Sequence, residues 1–168
     1  MKIVLIVLAA LVGLVVLMAV IGAFLPRAHV ASRTKRLAAP PERVWGLIRD
    51  LSPATSWRKD VTKIEVLPRE NGRERFREHG KHGAVLYKVV EEISPRKLVT
   101  RIADDSLPYG GSWTFDLSPR DGGTEITITE DGFVKNWLFR FLSRFVFSES
   151  ATIESYLDAL ERELQRAQ

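Results

Sequence analysis

From Ile3 to Leu25 the chain reads IVLIVLAALVGLVVLMAVIGAFL, 23 residues without one charged, amide or hydroxyl side chain. Wound as a helix at about 1.5 Å per residue, this run is roughly 35 Å long, enough to cross a hydrocarbon core with some tilt. Sixteen of its residues are Val, Ile, Leu or Phe. At roughly −0.4 kcal/mol each on an insertion scale, they favour the bilayer by about 6 kcal/mol. One small domain could not cover a helix that is apolar all round. A cleaved signal peptide would have a shorter apolar region, about 7 to 15 residues, closed by a small-x-small site. Ala23-Phe24-Leu25-Pro26-Arg27 offers none. Residues 1–26 are therefore read as an uncleaved single-pass anchor with the lipid bilayer as partner. Residues 27–168 are read as one domain, joined to it by a short tether over residues 26–32.

Orientation follows from the flanking charges. Only Lys2 precedes the run, whereas Arg27, Arg33, Lys35 and Arg36 follow it. That excess predicts a cytoplasmic domain, and the absence of cysteine fits a reducing compartment. The net charge of +4 is small and interspersed, as in Arg73-Glu74-Arg75. A nucleic-acid binder would gather its cations into a stripe, so nucleic acid is not expected as a partner.

The first helix of the domain is expected over Glu42–Asp50, opened by Pro40-Pro41 and broken by Ser52-Pro53. A further helical turn reaches Trp57. Strands follow at short spacing: Val61–Leu67, Arg73–Glu78, Ala84–Ile93, Leu98–Ile102, Ser112–Leu117 and Thr124–Glu130. Asn71-Gly72 and Asp121-Gly122-Gly123 mark hairpins, and His79 to Gly83 reads as another turn. At the end, Ile153, Tyr156, Leu157, Leu160 and Leu164 recur at helical spacing. The expected class is α+β: a curved antiparallel sheet of six to seven strands wrapped on one long C-terminal helix.

This order resembles the START-related, polyketide cyclase/dehydratase and lipid-transport superfamily, with its helix-grip fold of the birch-allergen type. The resemblance rests on Ala39-Pro40-Pro41-Glu42-Arg43-Val44-Trp45, Trp57-Arg58-Lys59-Asp60-Val61, Leu107-Pro108-Tyr109-Gly110-Gly111-Ser112-Trp113 and Gly123-Thr124-Glu125-Ile126. It covers roughly residues 29 to 166. It implies a cavity between sheet and long helix that holds an apolar small molecule, in a superfamily that spans carriers, hormone binders and cyclases. Kinship of fold narrows the function no further than that.

Strand alternation places Ile64, Val66, Phe76, Trp113, Phe115, Leu117, Ile126 and Ile128 on the covered face, either as cavity wall or as solid core. The same alternation turns Glu74, Glu78 and Glu130 inward, which is costly unless each is paired or wet. Glu78 is expected at the solvated mouth. Glu130 is the one candidate for an acid, a base or a contact to a ligand's polar head. His79 and His82 lack a third ligand nearby and His29 is isolated, so neither metal nor cofactor is expected. Gly110-Gly111 reads as a bulge or bend. No nucleophile-base pair, nucleophile elbow or phosphate loop is present, so the balance leans away from an enzyme.

The segment from Trp137 to Phe147 is rich in aromatics, and its only charges are Arg140 and Arg144. It either begins the buried long helix or touches the membrane interface through Trp137, Phe141, Arg140 and Arg144. Three functions remain open: membrane-anchored binding or transfer of a lipid or isoprenoid-like molecule, a cyclase or dehydratase on an apolar polyketide-like substrate, and an interaction module with a filled core.

Overall fold

The computed structural model of the protein describes residues 2–81, 83–145 and 150–166. The apolar run forms a single helix, α1 (Lys2–Phe24), whose side chains stand exposed along most of its length. β1 (Ala28–Leu37) follows after three residues, so the expected tether is much shorter than read and most of it is strand. Next come α2 (Pro41–Arg49), α3 (Ala54–Trp57), β2 (Val61–Glu70), β3 (Arg73–Gly80), β4 (Gly83–Ile93), β5 (Lys97–Ile102), β6 (Tyr109–Arg120) and β7 (Gly123–Val134). Two helices close the chain, α4 (Trp137–Phe145) and α5 (Ala151–Arg166).

The strands make one antiparallel sheet in the order β1-β7-β6-β5-β4-β3-β2. β2 to β7 form a meander, and α2 and α3 carry the chain from β1 at one edge to β2 at the other. Local chemistry fixes the turns: Asn71 and Gly72 both have positive φ, 52° and 76°, the primed geometry whose twist suits a two-residue hairpin. The β2 edge carries Lys63, Glu65 and Arg69, contains Pro68, and shifts register between Leu67 and Glu70.

Antiparallel pairing brings the start of β1, the end of β7, the start of β6 and the β3–β4 hairpin to one end of the sheet. Ala28 lies opposite Phe133, Tyr109 opposite Val134, and Gly80 opposite Gly83. α1 enters at this end. The core sits toward the other end, where Leu37, Val44, Ile48, Leu117, Ile126, Ile128, Leu157, Leu160 and Leu164 are buried together. There Thr124 donates to the Ala39 carbonyl at 2.6 Å, pinning the entry of α2 onto β7.

The aromatic segment does not begin the long helix. α4 is a separate element packed on α1, and Val146 and Phe147 lie outside the described residues. Backbones meet closely at Gly22, where a Cβ would stand 2.3 Å from the Trp137 carbonyl oxygen and 3.5 Å from the Phe141 Cβ. Arg140, expected at the membrane surface, is buried instead and donates to the Leu25 carbonyl at 2.8 Å. A guanidinium suits this place, because the last carbonyls of a helix have no partner within it and carry its negative end. Val134 N–H donates to the Arg27 carbonyl at 2.8 Å, so the connection from α1 to β1 is held on both sides.

Candidate ligand cavity

Composition of α5 decides where the domain is hollow. From Leu157 onward it presents Leu157, Leu160 and Leu164 to the sheet and fills the space. The rest of its first half buries Ile153 in the core and offers the cavity Ala151, Thr152 and Ser155, too small to fill it, with Tyr156 as the large side chain among them. Between that half and the concave face of the sheet lies a cavity of about 780 Å³, within the usual range for small-molecule sites. Phe76, Val85, Tyr87, Val89, Leu98, Thr100, Ile102, Trp113 and Phe115 form its wall. Tyr156 sits at the centre of an aromatic cluster, with ring centroids 5.4 Å from Trp57, 5.5 Å from Phe115 and 6.1 Å from Trp113.

Of the three carboxylates read as inward, Glu78 and Glu130 line the cavity and Glu74 does not, and each meets a basic side chain. Glu78 takes both terminal nitrogens of Arg58, at 2.6 and 2.9 Å, and each side chain is 14% exposed. Arg58 also reaches Asp60 at 2.9 Å and lies over the Tyr156 ring, 5.2 Å from its centroid. Burial opposes the Arg58 charge, yet Glu78's hydrogen bonds and charge outweigh it and hold the guanidinium above its ordinary value. Burial also pushes the phenols of Tyr87 and Tyr156 well up, keeping both neutral donors at ordinary pH. Glu74 pairs with Arg49, which also holds Glu92; each contact is 2.8 Å. At the end near α1, His29 Nε2 stands 3.6 Å from Glu130 Oε1, and both residues line the cavity.

Several expectations need correction. Glu78 is a partly buried partner of Arg58 rather than a free, solvated carboxylate. His29 is not isolated but part of the wall. His79 belongs to β3 rather than to a turn, with Nε2 3.2 Å from Glu65 Oε2; His82 lies outside the described residues. Of the eight apolar positions assigned to the covered face, Phe76, Trp113 and Phe115 line the cavity. Leu117, Ile126 and Ile128 lie in the solid core, because the leucines of α5 cover that part of the sheet. Ile64 and Val66 line neither. Val66 lies opposite Phe76 and shares its face, but β2 is an edge strand with nothing over it there, and Val66 is 67% exposed. Gly110-Gly111 is no bulge, since the β6–β7 register runs through it unbroken. Gly111 has φ 144°, and a Cβ there would meet the Asp131 carbonyl oxygen at 2.3 Å. Among the described residues no three His, Asp or Glu side chains converge as a metal site.

Sequence reasoning passed over Arg58 and Tyr156 as site residues. The signal lay in Glu78, whose inward parity required a cation from elsewhere in the chain.

A seven-stranded antiparallel sheet closed by one C-terminal helix over a cavity is the helix-grip architecture of START-like proteins. The chain belongs to the polyketide cyclase / dehydrase and lipid transport family, whose pattern matches residues 28–165. Solved structures agree on the fold. The protein TTHA0849 of Thermus thermophilus is 24% identical, with a TM-score of 0.69 over 83% of this chain and 99% of its own. A START superfamily protein of Mycobacterium smegmatis is 20% identical, with a TM-score of 0.68 over the same shares. The Zhui aromatase/cyclase of a Streptomyces strain is 17% identical, with a TM-score of 0.66 over 83% of this chain and 94% of that one. Among curated proteins, none matches the chain.

Proposed function

We propose that the protein is a membrane-anchored binder or carrier of an apolar small molecule of the lipid or isoprenoid kind. The observation that carries this reading is the cavity of about 780 Å³ beneath the first half of α5, whose surface is mainly aliphatic and aromatic. Within that lining Arg58 and Glu78 lie beside Tyr156, and His29 lies beside Glu130, so a largely apolar ligand with a polar group to meet one of these sets fits best. A filled interaction module does not leave such a space.

Retention of α1 as the anchor is supported by its packing on α4 and by the Arg140 cap on its last turn. We place the domain on the cytoplasmic side because Lys and Arg accumulate after α1. A cyclase or dehydratase is the second reading. Glu130 beside His29 on the cavity wall favours it, as does the name of the Zhui aromatase/cyclase for its fold.

Native mass spectrometry of the full chain in mild detergent tests the first reading: an apolar molecule should leave with the protein. A fluorescent acyl-chain probe should bind, and Val85→Trp, which fills the cavity from β4, should abolish binding. Failure of a broad lipid panel to bind would refute it. Glu130→Gln separates the two readings, since a carrier keeps its function, whereas an enzyme using that carboxyl loses about 10²-fold or more of turnover with binding intact.

A further inference from the structure

The α1–α4 pair meets the cavity at one end of the sheet, and the geometry points to a lipid portal there. We infer that α4 lies in the membrane interface and that the ligand enters the cavity directly from the bilayer, between α4 and the β3–β4 hairpin. This deepens the binding function proposed above and rests on it.

Position comes first. α1 is about 35 Å long against a hydrocarbon core of about 30 Å. With its N-terminus at the far surface, its last turn, Ile21 to Phe24, falls at the near interface. α4 contacts α1 at that level, through Trp137 and Phe141 at Gly22 and through Arg140 at Leu25. Only three residues separate α1 from β1, and Arg27 is bonded to Val134, so the domain cannot swing α4 away on a slack linker.

The surface of α4 matches that position. Leu138, Phe139 and Phe145 are 37%, 52% and 61% exposed, on the element that touches the membrane helix. Arg144 is exposed beside them, as are Arg27 and Lys135 nearby. Exposed aromatics flanked by cations suit the headgroup boundary, where apolar rings bury and cations meet phosphates. Water would leave this patch uncovered, and a lipid surface covers it without any protein partner.

The cavity reaches the same end of the sheet. Its lining includes Phe139 of α4, Phe133 and Val134 at the end of β7, Tyr109 at the start of β6, and Gly80 and Gly83 of the hairpin. An acyl or isoprenoid chain leaving the bilayer beside α4 therefore has Phe139, Phe133 and Val134 of the lining to meet.

The chain has no cysteine, so single probes can be placed on the full-length protein in phosphatidylcholine–phosphatidylglycerol vesicles. Fluorescent labels on Leu138→Cys and Phe145→Cys should be shielded from aqueous iodide and quenched by brominated lipid. A label on Asp121→Cys, at the opposite end of the sheet, should behave in the reverse way. Labels at 138 and 145 as open to iodide as the one at 121 would overturn the inference. Leu138→Asp combined with Phe145→Asp removes the apolar surface without touching the cavity lining. It should slow uptake of a fluorescent lipid from vesicles by about tenfold or more, while binding of the same lipid offered in detergent stays unchanged. Undiminished uptake would also overturn the portal. Absence of binding by the parent protein in detergent would instead sink the ligand reading, and the labels would still decide where α4 lies.

Discussion

Removing either half of the Arg58–Glu78 pair should cost more stability than any exposed ion pair in the protein. Two parallel hydrogen bonds join the groups at 2.6 and 2.9 Å, and both side chains are 14% exposed. At a separation of about 4 Å and an effective dielectric of about 20, opposite charges attract by about 4 kcal/mol, and desolvation offsets part of that. Glu78→Gln leaves the guanidinium with Asp60 alone, and Arg58→Met leaves a buried carboxylate without its cation. Each should destabilise by about 3 kcal/mol. The double variant should cost about 3 kcal/mol in total, because neither orphaned charge remains, so the coupling is about 3 kcal/mol. Urea unfolding of the full chain in neutral detergent reads this directly. Trp57 and Trp113 both pack edge-on against Tyr156 beside the pair, and their fluorescence reports the same region. Additive effects, within about 0.5 kcal/mol, would mean that the two groups are solvated independently. The polar set in the cavity would then be two accidental neighbours.

Gly22→Leu should drive α1 and α4 apart, since even a Cβ would meet the Trp137 carbonyl at 2.3 Å, whereas Gly13→Leu meets nothing within 4 Å. Trypsin cleavage after Arg27 in detergent should accelerate about tenfold or more in the first variant only, and equal rates would refute the packing. The phenols of Tyr87 and Tyr156 ionise near pH 10 in the unfolded chain and only at higher pH when folded. Their contribution is therefore complete below pH 10 and is lost as pH rises above it, by up to about 1.4 kcal/mol per pH unit for each. Urea midpoints at pH 8 and 10.5 should fall less for Tyr87→Phe with Tyr156→Phe than for the parent; parallel falls would show that these rings are not buried.

The helix from Ile3 to Leu25, the Asn71-Gly72 hairpin and the inward face of Trp113, Phe115 and Leu117 were all legible, because each depends on neighbours in sequence. Alternation reports which side of a sheet a residue faces, but not what lies over that side. That is why Val66 and Ile128 looked equivalent: one stands at an open edge, and the other is sealed beneath the leucines of α5. The Arg58–Glu78 pair joins residues 20 apart in different elements, and only the closing of the sheet brings them together. Arg140, set among aromatics, read as an interfacial cation; its burial depends on α1 returning to pack beside it, a contact across more than a hundred residues.

The β2 edge carries a consequence for the proposed membrane-anchored state, in which copies are confined to two dimensions. With α1 as the proposed anchor, the local concentration of copies would rise and their sheets would be held at one height above the bilayer, so lateral collisions would bring open strands face to face again and again. An unguarded β2 would then recruit its counterpart on the next molecule and seed edge-to-edge aggregation. Pro68 withdraws a donor from that edge, the register shift between Leu67 and Glu70 bends it, and Lys63, Glu65 and Arg69 keep it hydrated. Replacing Pro68 and the charges with β-branched residues would leave the cavity as it is, yet turn a crowded membrane into a template for polymerisation.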